Sequence, residues 1–242
     1  MAETITPTME DYLGLIYLMR REGQTVIGAR LAERLGVSRP TVTATLQRLE
    51  RAGLVEMNER KEVLLSPSGQ EAAQSLLRRH MLTEWLLREV VGLPWHQIHE
   101  EADRLEHHFS EETVDRLAEL FKQPETCPHG NPMPGMEPPT AVPLDEVAEG
   151  ADVVIVRIAE EAEEHSDFLA YLEENGLLPG ARLRVLANRP YNETVAVRVG
   201  GRKVVLGLAA AGHVRVRPHE EGEGEGGLRD TVDPFQSLPS IF

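Results

Sequence analysis

The chain has 242 residues, 41 % of them hydrophobic, and carries 40 Asp/Glu against 25 Lys/Arg for a formal net charge of −15. That length suits two or three folded domains. No apolar run approaches the roughly 20 residues needed to span a bilayer, and Met1-Ala-Glu-Thr lacks the basic and apolar regions of a signal peptide, so a soluble cytoplasmic protein without a membrane partner is expected.

The single cysteine, Cys127, lies in a Pro/Gly-rich segment. It excludes an intrachain disulfide framework and a cysteine-based zinc site, which leaves any metal to His, Asp, Glu, Met or backbone oxygen. The acidity is uneven: residues 1–80 carry 11 Lys/Arg and 10 Asp/Glu, whereas residues 81–242 carry 14 and 30. The first third is therefore locally able to meet phosphate.

In chain order, Thr8 to Met19 reads as an amphipathic helix with Tyr12, Leu15, Ile16 and Met19 facing a core. Asp11 near its start suits the helix dipole. From Val26 to Val55 the punctuation is helix-turn-helix: one helix ends at Gly36, Ser38 caps a second beside Pro40, and Gly53 ends it. Leu46 and Leu49 point inward. Ser38, Arg39 and Pro40 at the helix start, with Thr41, Thr43, Ala44, Arg48 and Arg51 on its outer face, are the candidate DNA contacts. Short hydroxyls suit base edges and phosphates in a major groove, and arginines suit phosphate. Leu54 to Met57 and Val63 to Leu65 then predict two short strands of a wing, with Arg60 and Lys61 at its tip.

A long helix is expected from Ser68 to about Val91, where Gly92 and Pro94 stop it. It carries His80 and Glu84, four residues apart and so on one side. Trp95 opens the next helix, which contains His99-Glu-Glu-Ala-Asp-Arg-Leu-Glu-His-His108. At roughly 100° per residue, His99, Asp103, Glu106 and His107 fall within an arc of about 100°. Imidazoles and carboxylates at these spacings make nitrogen/oxygen sites for a divalent transition ion. Ser110 caps a further helix from Glu111 to Lys122. Ile98, Ala102, Leu105, Val114, Leu117, Leu120 and Phe121 exceed what one small interior needs, and so predict a homodimer interface.

Residues 124–143 hold seven prolines and two glycines and read as a linker or extended strap. Val153–Ile158, Arg182–Leu186, Thr194–Val199, Val204–Leu206 and His213–Arg217 predict five short strands, interrupted by one helix from His165 to Asn175, as in a small partly closed barrel. Residues 219–227 are too polar and glycine-rich to fold. The expected organisation is a DNA-binding winged helix over 1–72, a helical metal-binding and dimerisation domain over 73–123, a linker over 124–150, a barrel over 151–218 and an acidic tail over 219–242.

Met9-Glu-Asp-Tyr12, Arg79-His80 with Glu84, Glu101-Ala-Asp-Arg-Leu-Glu-His107 and Gly130-Asn-Pro-Met-Pro-Gly135 occur in this order around a winged helix and a barrel. The pattern resembles the diphtheria-toxin-repressor family of metal-dependent transcriptional regulators, over about residues 5–217. The resemblance implies a mainly α fold with a small β domain: winged helix, helical dimer domain and C-terminal SH3-like (FeoA-like) barrel. It implies a homodimer that binds double-stranded operator DNA when metal-loaded, most often as a repressor, with no enzymatic activity and no small-molecule substrate.

Two metal sites per chain are implied. The regulatory site takes Asp11, Asp103, Glu106 and His107. The ancillary site takes His80, Glu84 and His99, with Glu164 and Asp167 from the barrel domain. Iron-responsive members have methionine and cysteine where Asp11 and Asp103 stand. Oxygen in place of sulfur shifts preference toward Mn²⁺ over Fe²⁺, as in the manganese-responsive branch, although that branch's second first-helix carboxylate corresponds to Gly14. A glutamine of the iron-responsive recognition helix is Ala44. Two other readings are a winged-helix regulator whose acidic cluster is only surface, and a di-metal enzyme. The Glu-x-x-His pairs that bundle enzymes use do not occur in the required order.

Overall fold

The computed structural model describes residues 5–219. The acidic stretch expected at the C-terminus lies, from residue 220 on, outside the described residues. The chain forms two compact units that divide between Arg79 and His80, within one helix.

The first unit contains α1 (Pro7–Arg21), α2 (Gly28–Arg34), α3 (Arg39–Arg51) and the antiparallel pair β1 (Val55–Met57) and β2 (Val63–Leu65). Met9, Leu13 and Ile16 of α1, Leu31 of α2, Val42, Leu46 and Leu49 of α3, and Val55 and Val63 of the wing share one apolar core. The amide of Val63 also donates to Val26 O, and Ile27 bridges Glu62, so the wing gains a third short strand segment. At the wing tip Asn58 Oδ1 accepts from the amides of Arg60 and Glu62 at 2.9 and 3.0 Å, and Lys61 takes a left-handed φ of 59°. Both basic tip residues are exposed.

Helix α4 (Pro67–Leu86) starts one residue earlier than its sequence signal. Ser66 Oγ accepts from Gly69 N at 3.0 Å and donates to Gly53 O at 2.6 Å. A Cβ on Gly69 would come within 1.9 Å of Leu54 O, so only glycine lets the helix pack on the chain leaving α3. Gly14 of α1 meets Leu76 and Leu77 of α4, and a Cβ there would already be 3.2 Å from Leu76. A carboxylate has no room at this position.

In the second unit α4 ends at Leu86 and continues as a π-helical turn to Val91, which Gly92 terminates in the left-handed conformation. The expected single helix through Val91 is thus broken at its last turn. A 3-10 turn (Trp95–Gln97) leads into α5 (Ile98–Leu105), and a second 3-10 turn (Glu106–His108) follows before α6 (Glu111–Leu120). Ser110 Oγ caps α6 by accepting from Thr113 N.

The sheet has six antiparallel strands rather than five: β3 (Val142–Pro143), β4 (Asp152–Ile158), β5 (Arg182–Arg189), β6 (Thr194–Val199), β7 (Arg202–Gly207) and β8 (Val214–Pro218), in the order β3-β8-β4-β5-β6-β7. The extra strand comes from the end of the proline-rich segment. A short helix, α7 (Glu160–Glu163), precedes the expected one, which is α8 (Ser166–Glu174), and α9 (Leu208–Gly212) links β7 to β8.

Sheet and helices share one core, in which Leu87, Trp95, Ile98 and Ala102 pack with Ile155, Leu169 and Val214. Glu173 of α8 fastens the junction by accepting from the amides of Trp95 and His96 and from His96 Nδ1, the last at 2.6 Å. Ile98, Ala102, Val114 and Leu117 are therefore buried in their own protomer and are not spare apolar surface. Val90, Val91 and Leu120 are the exposed apolar residues of this helical segment.

Residues Cys127–Met133 are buried throughout, so the proline-rich segment is a strap inside the unit and not a solvated linker. Cys127 and Met133 pack with Met81, Leu82, Val114 and Ala118, and Trp85 Nε1 donates to Thr126 O at 2.7 Å. The strap is tied to β4: Ile158 N donates to His129 O, and Asn131 Nδ2 donates to Ile158 O. At Gly130, with φ of 89°, a Cβ would fall 2.2 Å from Val156 O. Only a glycine lets the strap lie this close to the strand.

Candidate metal centre

His80 and Glu84, one turn apart on α4, face His99 from α5, and all three are largely buried. Glu84 Oε1 is the hub. It lies 3.3 Å from His80 Nε2, 3.2 Å from His99 Nδ1 and 3.1 Å from His129 Nδ1. The strap supplies His129, which is fully buried and lies with its ring centroid 4.6 Å from that of Trp95. Trp95 Nε1 in turn donates to Pro128 O at 3.0 Å.

The sheet domain contributes Glu163, whose Oε2 is 3.2 Å from His99 Nδ1 and 3.9 Å from His129 Nδ1. Asn131 Nδ2 donates to the other oxygen of Glu163, and Arg157 Nη1 donates to Asn131 Oδ1 at 3.0 Å. Glu164 and Asp167 are exposed and take no part in this cluster. Helix α7 ends at Glu163, which turns that carboxylate inward and the next one to solvent, so the barrel-domain position is shifted by one residue.

Because α5 ends at Leu105 and a 3-10 turn follows, the four residues of the later motif separate. Asp103 Oδ1 and Glu106 Oε2 both reach His80 Nδ1, at 3.1 and 2.8 Å. His107 Nε2 lies 3.5 Å from Glu106 Oε1. Asp11 is exposed on α1 of the first unit.

The electrostatics follow from burying charge among charge. Burial alone would drive the His80 imidazole toward its neutral form, but hydrogen bonds to Asp103, Glu106 and Glu84 override it and hold its pKa well above the usual histidine range. His99 behaves likewise: burial opposes its charge, yet Glu163 and Glu84 raise it to about 10. Burial would raise Glu84, but His129 and His80 hold it well below the usual carboxylate range. Burial and the negative charges of Glu84 and Glu163 push the Cys127 thiol up. Protons on imidazole thus balance the carboxylates.

The donor set fits a divalent cation. Glu84, Cys127 and His129, and also Glu84, His99 and Glu163, each present donor atoms within 4.8 Å of one another. Glu84 Oε2 and His129 Nε2 are buried without a hydrogen-bond partner, a costly state that a cation relieves. The reading that denied the lone cysteine a metal role is therefore corrected. Cys127 cannot build a cysteine-rich site, but it lies beside two other donors. Cys127-Pro-His129 was the sequence signal, hidden by the loop-like composition around it.

In the first unit, Ser38 Oγ accepts from Thr41 N at 3.3 Å and lies 2.8 Å from Thr41 Oγ1. Arg39, Pro40, Thr41, Thr43 and Ala44 form an exposed strip at the start of α3, with Arg51 exposed at its end. Thr43 Oγ1 donates to Arg39 O at 3.0 Å, which leaves its lone pairs and methyl outward. Arg48 departs from expectation: it is half-buried, with Nη2 3.7 Å from Met9 Sδ, and packs along α1.

Three family models match in chain order: "Iron dependent repressor, N-terminal DNA binding domain" over residues 4–63, "Iron dependent repressor, metal binding and dimerisation domain" over 66–135, and "FeoA domain" over 142–218. The iron-dependent repressor IdeR of Mycobacterium leprae is 35 % identical over 225 residues, covering 88 % of this chain and 97 % of its own. The diphtheria toxin repressor of Corynebacterium diphtheriae is 41 % identical over 133 residues, covering 55 % and 59 %. Among solved structures, a manganese-dependent transcriptional repressor in complex with manganese is 32 % identical with a TM-score of 0.79, over 87 % of this chain and all of the other. ScaR with bound Zn²⁺ is 30 % identical with a TM-score of 0.73, over 87 % and 99 %.

Proposed function

The chain belongs to the diphtheria-toxin-repressor family of metal-responsive DNA-binding regulators, and from that membership we propose that it is a cytoplasmic repressor that grips double-stranded operator DNA as a homodimer when loaded with Mn²⁺ or Fe²⁺. Asp11, Asp103, Glu106 and His107 form the regulatory site, with Mn²⁺ the favoured ion because carboxylates dominate the set. A second site draws on Glu84, His99, His129 and Glu163, with His80 and Cys127 at its edge. The single observation that carries the reading is the pair of unpartnered buried atoms, Glu84 Oε2 and His129 Nε2, inside a segment that matches a metal-binding family model.

Asp11, Asp103 and Glu106 carry like charge, which favours separation of the first helix from the dimer scaffold. A bound divalent cation supplies the charge that reverses this repulsion. Arg39, Pro40, Thr41, Thr43 and Ala44 then read the major groove from each protomer, while Ser38 fixes the start of α3, Arg51 meets phosphate and Arg60 and Lys61 contact the backbone from the wing. Recognition helices one duplex turn apart, about 34 Å, fit a palindromic site. A mobility-shift assay on the upstream region of a metal-transport gene, titrated with Mn²⁺, Fe²⁺, Zn²⁺ and chelator, tests the reading. Binding that persists in chelator refutes metal control, and normal Mn²⁺-dependent binding by Asp11→Ala and Glu106→Ala refutes the regulatory ligand set.

A further inference from the structure

The outer face of the sheet carries a row of like charges in direct register. Arg184 of β5 pairs with Arg198 of β6, and Arg198 with Lys203 of β7; all three are exposed. Like charges directly opposite on neighbouring strands destabilise a sheet, so the row calls for a counter-charge. Asp152 of β4 lies opposite Arg184 and forms an ion pair with it. Arg198 and Lys203 have no carboxylate partner among the described residues.

At one end of this row β8 leaves the sheet, where His219 N donates to Asp152 O at 3.0 Å. The sequence continues as Glu220-Glu-Gly-Glu-Gly-Glu-Gly-Gly227. In an extended chain alternate residues face one side, so Glu221, Glu223 and Glu225 share an edge and the intervening glycines line the other. Six extended residues reach about 20 Å. The four strand steps from β8 to β7 span about 19 Å.

We propose that this Glu-Gly stretch folds back across the strands and lies on the Arg184–Arg198–Lys203 row as an intrachain polyanion, shielding it from other polyanions. The carboxylates meet the cations, and the glycines let the backbone lie low without side-chain obstruction.

The test uses the full chain and a zero-length carbodiimide, with a mixture of isotope-labelled and unlabelled protein to separate links within a chain from links between chains. Lys203 is expected to join Glu221, Glu223 or Glu225 of its own chain. The yield should fall several-fold at about 1 M salt, where the Debye length is about 3 Å, and in Arg198→Gln. The triple variant Glu221→Gln, Glu223→Gln, Glu225→Gln should let a non-operator duplex protect Lys203 from amine modification at several-fold lower concentration than the native chain requires. No link, or links only between chains, overturns the proposal. So does equal protection by the duplex in the native and triple-variant chains, which would make the row a nucleic-acid surface.

Discussion

The two units bury opposite kinds of interior. The first is held by aliphatic packing around Leu13, Ile16, Leu31 and Leu49, and its polar residues cap helices or face solvent. The second surrounds a similar apolar core with a nest of imidazoles and carboxylates centred on Glu84. Apolar burial is indifferent to pH and metal, whereas buried charge is stable only while its partners keep their protons or are replaced by a cation. The reading unit is built to be constant and the sensing unit to be conditional.

The sharpest way to break the contrast is Glu84→Ala. It leaves three imidazoles without their shared carboxylate, and removing one member of a buried charge network costs about 3–5 kcal/mol. Hydrogen exchange should show the loss in α5, the strap and β4, and calorimetry should show metal binding abolished. Retention of full stability would mean that the nest contributes nothing. Leu49→Ala, at a fully buried position, should cost about 2–5 kcal/mol. Denaturant melts of this variant should show the same loss with chelator or Mn²⁺ and at any neutral pH.

Alkali gives a graded test of the conditional interior. His80 and His99 are raised in the folded state, His99 to about 10, against about 6.5 when unfolded. Their contribution is complete below about pH 6.5, declines as pH rises and is gone above about pH 10. Chelated protein should therefore lose melting temperature between pH 7 and 10, while metal affinity, which requires deprotonated ligands, should rise over the same range. Parallel trends would refute the proton-for-metal exchange. At the low end Glu84, held below its ordinary range, withdraws its contribution as pH falls through its folded value. The mildest change, Ser38→Ala, removes the α3 cap and should cost about 1 kcal/mol, visible as faster exchange at Thr41 and Val42 with the metal centre untouched.

How much of this the sequence disclosed tracks how local each signal was. Ser38, Pro40 and Gly53 act within one turn of their neighbours and set α3 to within a residue. His80 and Glu84 meet because four residues of helix put them together. Glu163 could not be chosen from Glu160-Glu-Ala-Glu-Glu164, since which carboxylate faces inward depends on where α7 stops, and that is set by packing against β4 and α8. The burial of Cys127 and His129 was invisible because prolines and glycines also build solvated loops, and only contact with Ile158 and Val156 decides between the two. The homodimer argument erred in the same way: Ile98 and Ala102 counted as surplus until the sheet domain was seen to cover them.

The strap threaded against β4 at Gly130 sets an order in time. His129 is seated by hydrogen bonds to Ile158, and the cluster is whole only with Glu163, so a nascent polypeptide cannot complete this centre until position 163 has cleared the ribosome and the strand beneath it has formed. A half-made copy can already hold its reading head, but it has no complete second centre with which to judge the cell's metal.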